Sequence, residues 1–194
     1  MILVEPEIRA AFARRLRVTA LRQFVEDAQA AVKLRGDVSV LLTGDRQIRR
    51  WNREFRGKNQ ATDVLSFPAI PMAGIASAMA GDLAISVETA DKQAKEQGHV
   101  LAEELKVLVL HGLLHLAGYD HETDDGTMAR VERRLRARLG LKAGLTERVA
   151  VEPVKKARSS VPTQAKGGLA WATTEGAPVK KAAAKSLPAR RRAR

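Results

Sequence analysis

Apolar and polar positions alternate along the first 140 residues in blocks of two different periods. Met1-Ile2-Leu3-Val4 is a continuous apolar run of strand type, and the polar stretch after it reads as a linker as far as Thr19. Beyond it, Leu21, Phe24, Val25, Ala28, Ala31 and Val32 recur every three or four residues. That spacing predicts an amphipathic helix with Thr19 as its N-cap and Gly36 past its end. Val38 to Thr43 has the β-branched, apolar character of a buried strand, and Asp45 then suits the cap of a second helix through Ile48, Trp51, Asn52 and Phe55. Asp63 to Phe67 predicts a third strand stopped by Pro68, residues 71–80 a loop without clear period, and Gly81 to Ser86 a fourth strand. A polar helix from Val87 to Gln97 follows, ended by Gly98.

The next segment, Glu104 to Leu110, is apolar over more residues than an ordinary strand needs and is rich in helix formers, so it predicts a buried helix. It runs into His111-Gly112-Leu113-Leu114-His115-Leu116-Ala117-Gly118-Tyr119-Asp120-His121, which holds three of the four histidines of the chain. Side chains four apart lie one above the other on a helix, so His111 and His115 share a face and can bind one metal ion. Gly118 falls where a helix ends and the backbone takes positive φ, a turn able to return His121 as a third ligand. Thr123, Asp124 and Asp125 predict the start of a last helix, with Met128, Val131, Leu135 and Leu139 as its apolar side up to Gly140.

Three imidazoles suit zinc, and a catalytic zinc keeps a fourth position open for water, which implies hydrolysis. The spacing also matches the long metalloprotease motif, in which a Glu directly after the first His is the general base. Gly112 occupies that position, and a peptidase would lack its proton acceptor.

The two strands near 63–67 and 81–86 are joined without a crossover helix, which permits antiparallel pairing. The expectation is a single α+β domain with a mixed sheet of mostly short strands covered by helices. Cysteine is absent, which removes disulfides and thiolate ligands and fits a reducing compartment. No segment approaches the length of a membrane span, and Glu5, Glu7 and Arg9 interrupt any leader-like run, so the expected location is cytoplasmic.

Charge changes the picture at the C-terminus. The net charge is +12, of which residues 151–194 carry +9 through eleven Lys and Arg against Glu152 and Glu175, together with four of the seven prolines. The domain is therefore expected to span 1–150, and 151–194 to be a disordered basic tail. It serves either solubility or tethering to RNA.

Arg56-Gly57-Lys58-Asn59-Gln60-Ala61-Thr62-Asp63 reads as a loop between a helix and a strand. It is either a solvated basic turn or a site where Arg56 or Lys58 holds a phosphodiester. That loop with its continuation to Pro68, the Gly81–Ser86 strand and the His111–His121 segment together resemble the YbeY family of bacterial endoribonucleases, over about residues 1–142. The resemblance implies a zincin-like fold and a metal-dependent, single-strand-specific endoribonuclease. Its field of action would be ribosomal RNA processing, at the 3′ end of the small-subunit 16S RNA, and ribosome quality control. It makes His111, His115 and His121 ligands of one Zn2+ and Arg56 the functional arginine, and implies partners in the small ribosomal subunit, with ribosomal-protein and GTPase assembly partners possible. Alternatives left open are a zincin-like metallopeptidase and a non-catalytic RNA-binding assembly factor with structural zinc.

Other residues have two readings each. Asp120 and Glu122 either orient a histidine or face solvent, Asp82 supports the site or the start of its strand, and Tyr119 packs under the turn or stacks on a base. His99 is expected at the surface or as a cap, three turns before His111.

Overall fold

The computed structural model describes residues 1–69, 79–121 and 123–141. Their elements are β1 (Ile2–Val4), α1 (Pro6–Leu16), α2 (Val18–Val32), β2 (Asp37–Thr43), α3 (Asp45–Arg56), β3 (Val64–Pro68), β4 (Met79–Ser86), α4 (Val87–Glu96), α5 (Leu101–Leu116) and α6 (Thr127–Arg138). The expected Glu122 role, most of the 71–80 loop, the boundary at 150 and the basic tail lie outside the described residues.

The strands form one mixed sheet in the order β1-β2-β4-β3. β1 and β4 run parallel to β2, and β3 is an antiparallel edge strand on β4, so the α+β expectation holds. Helix α5 is the axis of the core. Twelve of its sixteen residues are buried, and it packs against β3, β4, α1, α2, α4 and α6. Leu110, Leu113 and Leu114 have no exposed surface. Truncating any of them to Ala is expected to cost about 2–5 kcal/mol. The opposite face of the sheet carries α3, where Ile48, Leu65 and Ala84 form a small second cluster with Trp51 and Phe67.

The segment after β1 is helix α1, not a linker. Its apolar residues, Ile8, Phe12 and Leu16, fall once per turn, a single row too sparse to stand out among charged neighbours. Pro6 sits in the first turn, where its missing N–H costs nothing. Arg15 of α1 donates from Nη1 to Asp91 Oδ2 of α4 at 3.1 Å and from Nη2 to Asp91 Oδ1. Arg17 at φ 46° ends α1 and precedes α2, which begins at Val18, so Thr19 lies inside the helix and is not its cap.

Other ends shift by a few residues. Gly44 caps α3, and Asp45 in its first position accepts hydrogen bonds from Ser86 Oγ and, at 2.6 Å, from Thr89 Oγ1, joining α3 to α4. Strand β3 includes Pro68, which an edge strand tolerates. Strand β4 starts two residues early, at Met79, with a register shift opposite Asp37 and Val38. Helix α6 starts at Thr127, later than Thr123, and its end is held by Asp124, which accepts from the backbone N–H of Gly126 at 2.8 Å and Met128 at 2.7 Å.

Candidate metal centre

The last turn of α5 places His111 and His115 one above the other, with their Nε2 atoms converging to 3.1 Å. The helix then closes on Gly118 at φ 89°, a conformation that an L side chain resists. Two bonds of a Schellman turn hold it: the N–H of Gly118 donates to His115 O and that of Tyr119 to Leu114 O, each at 3.0 Å. The reversed chain brings His121 to the pair, with ring centroids 5.1 Å from His111 and 5.2 Å from His115. One nitrogen of each ring lies within 4.8 Å of the others, so the group is able to hold a metal ion. Among the described residues it has three members. His111 is buried, His115 half-buried and His121 exposed, so the cluster opens to solvent on the His121 side.

The donor set fits a zinc-like ion. Tetrahedral bonds of about 2.0–2.1 Å to nitrogen require ligand atoms roughly 3.3 Å apart, close to the spacing of the two helical imidazoles. Burial, and next the neighbouring His111 and His121, push the His115 pKa below its ordinary 6.5, against smaller opposing effects of the Tyr119 backbone and Asp120. A neutral ring with a free lone pair is the form that binds metal.

Behind the cluster stands a carboxylate. Glu132 of α6, with no exposed surface, lies with Oε2 at 3.1 Å from His111 Nδ1. A proton on Nδ1 donated to that carboxylate leaves the Nε2 lone pair directed at the other two rings, the usual arrangement behind a metal-bound histidine. Asp120, next to His121, accepts from Thr123 Oγ1 at 2.8 Å and its charge also acts on His115, while Glu122 lies outside the described residues. Glu132 sits between Met128 and Leu135 on the buried side of its helix. A carboxylate on an apolar face was the signal available in the sequence.

Gly112 has a steric role. A Cβ built on it falls 2.7 Å from Leu83 Cδ2 and 3.3 Å from Ser66 Oγ, because α5 lies directly on β3 and β4 there. The position after the first histidine therefore faces the sheet, and any side chain would displace the buried Leu83.

His99 is not a surface residue. Its side chain is 4% exposed and pairs through Nε2 with the buried Glu104. Tyr119 packs, partly buried, against the main core. Asp82 is exposed, opposite Phe67 in the sheet register.

Arg56 is the exposed last residue of α3, followed by the Gly57 cap, so it belongs to a helix end and only Lys58 to the loop. Phe55 beside it packs edge-on against Phe67 at 5.3 Å, and Leu116 beside His115 lies against Gly81. Phe67 and Pro68 pair with Asp82 and Gly81. The C-terminal ends of α3 and α5 thus lie toward the same end of the sheet on opposite faces, with edge strand β3 alongside.

A family model described as "Endoribonuclease YbeY" matches residues 5–140. The chain belongs to the YbeY family. It is 49% identical over 138 residues to an Endoribonuclease YbeY of Koribacter versatilis, covering 71% of this chain and 87% of that protein. A Solibacter usitatus relative of the same name is 48% identical over 134 residues, covering 69% and 87%. The solution structure of a Thermotoga maritima protein aligns with a TM-score of 0.46 at 24% identity, over 82% of this chain and all of that one. Among the described residues, no helix of this YbeY chain is long and apolar enough to cross a membrane.

Proposed function

We propose that this chain is a zinc-dependent endoribonuclease that cuts single-stranded RNA, binding one ion per chain through His111, His115 and His121. The observation that carries this reading is the convergence of three imidazole nitrogens within 4.8 Å on a solvent-facing edge, with Glu132 fixing the first ring from behind. When bound, zinc supplies Lewis acidity to a phosphate oxygen and lowers the pKa of coordinated water toward roughly 7. The chain's own part is positional and electrostatic. The histidines fix the place of cutting, and the Arg56 guanidinium, charged at any physiological pH, stabilises the extra negative charge that builds on the phosphoryl oxygens. Lys58 adds a second cation for the RNA backbone. The names of the relatives support RNA as the substrate, and the basic balance of the chain agrees.

The finer reading places this activity in the cytoplasm, in maturation of the 3′ end of small-subunit ribosomal RNA and in ribosome quality control. The ribosome, ribosomal proteins and an assembly GTPase are the partners in that reading. The peptidase alternative is weakened by Gly112, since a glutamate there would meet Leu83. The structural-zinc alternative is weakened by the exposed His121, because a site built only for stability is normally closed.

Zinc-loaded protein incubated with one sequence as single strand and as duplex, and with a peptide library, tests the assignment. Cutting of the single strand in preference to the duplex is expected; turnover of peptides without RNA cleavage would reverse it. Cyclic phosphate at the product ends would identify the 2′-hydroxyl, rather than water, as the nucleophile.

A further inference from the structure

Helix α3 carries a second basic feature that the metal centre does not use. Arg46, Arg49, Arg50 and Arg53 recur at i, i+3, i+4 and i+7, so they share the side of the helix opposite Ile48, Trp51 and Asn52. All four are exposed, and among the described residues none forms an ion pair with a carboxylate. Together with Gln47 and Asn59 they line a shallow groove of about 300 Å³. The return loop forms its other wall: Arg49 Nε donates to Asn59 Oδ1 at 3.1 Å, and Asn52 Nδ2 to Gln60 O at 2.8 Å. At the far end of the row the helix finishes with Arg56 and with Phe55, a residue 61% exposed although its ring packs on Phe67.

We propose that this arginine face is a track for the backbone of single-stranded RNA, leading away from the cleavage site. Four like charges on one helix face repel one another, and among the described residues none of the four is ion-paired with a carboxylate, so the surface is matched to a polyanion. Guanidinium groups hold phosphates through paired hydrogen bonds. From Arg46 to Arg56 the helix rises about 15 Å, enough for several successive nucleotides. The exposed Phe55 ring at the Arg56 end offers a face on which a base can stack, which favours an unpaired strand over a duplex or an acidic protein. The track reads no sequence; it binds nucleotides flanking the cut and makes affinity depend on RNA length. It deepens the RNA reading of the metal centre and rests on it.

The test compares the full-length zinc-loaded protein with its Arg46→Gln/Arg50→Gln and Arg46→Lys/Arg50→Lys variants. The probes are labelled single-stranded oligoribonucleotides, one only long enough to cover the cleavage site and one about three times longer, with poly-glutamate as the protein-like anion. Cutting of the short probe by wild type checks the RNA reading separately. The Gln variant should cut the short probe like wild type, bind the long one several-fold more weakly, and lower the salt slope of long-probe binding by about 1.4, from two phosphate contacts. The Lys variant should keep most of the wild-type slope, and equal melting temperatures exclude misfolding. Unchanged affinity and slope for the long probe in the Gln variant would overturn the track. So would loss of poly-glutamate binding with RNA binding intact, which would assign the face to an acidic protein.

Discussion

Glu132 Oε2 lies 3.1 Å from His111 Nδ1, so a residue 21 positions downstream on another helix sets which nitrogen of the first histidine faces the other two. Glu132→Gln keeps the size of the side chain and removes the charge that favours a proton on Nδ1. Zinc affinity, measured by competition with a chromophoric chelator, should fall about 10–100-fold while the fold persists. Affinity equal to wild type would show that the Glu132 contact does not tune the site.

Gly112→Ala places a methyl against Leu83 and Ser66 in a packed core. The expected loss is about 1–3 kcal/mol in urea unfolding, and Gly112→Glu should lose at least as much without gaining peptidase activity. A Gly112→Glu protein of normal stability that cuts peptides would restore the metalloprotease reading.

Much of this was legible in the sequence, and the exceptions have physical causes. The His-x3-His spacing and Gly118 carry the metal turn because both helix period and positive φ are local properties, so the placement of all three histidines could be read directly. Glu132 could not be paired with His111 from local pattern, since their contact depends on how α6 packs on α5. Helix α1 was hidden because only Ile8, Phe12 and Leu16 mark its buried side. His99 reads as a surface or capping residue because its partner Glu104, five positions on, reads as an ordinary first-turn acid; the side chains of both are buried. Arg56 reads as part of a loop because Gly57 follows it directly, whereas Gly57 ends the helix that Arg56 completes.

Acid should weaken the tie between α1 and α4. The Arg15 hydrogen bond, helped by Lys95 Nζ at 2.9 Å, holds the Asp91 carboxyl below its ordinary 3.8 despite the opposing effect of burial. A carboxyl depressed in the folded state stabilises the protein at pH values above its unfolded pKa, and the benefit disappears as pH falls through the folded value. Asp91→Asn should therefore be less stable than wild type at neutral pH, by about 1–2 kcal/mol, with the gap closing below about pH 4. A gap constant from pH 7 to pH 2 would contradict this role.

Residues 151–194 carry nine of the twelve net positive charges. We propose that they tether RNA without choosing its sequence. Truncation after Ala150 should leave zinc content and short-substrate cleavage intact while weakening RNA affinity and flattening its salt dependence. Equal affinity and slope with and without these residues would rule out tethering, and loss of zinc would move the domain boundary.

The most direct test of the metal centre is cleavage of a single-stranded RNA followed against bound zinc, in protein stripped of metal and titrated back. Activity should rise in proportion to zinc and level at one ion per chain. His115→Ala, which removes one of the three proposed ligands, should bind zinc weakly and lose nearly all cleavage at the same total zinc. Cleavage that persists in the stripped protein, or in His115→Ala at the wild-type rate, would contradict a metal-dependent site built on His111, His115 and His121.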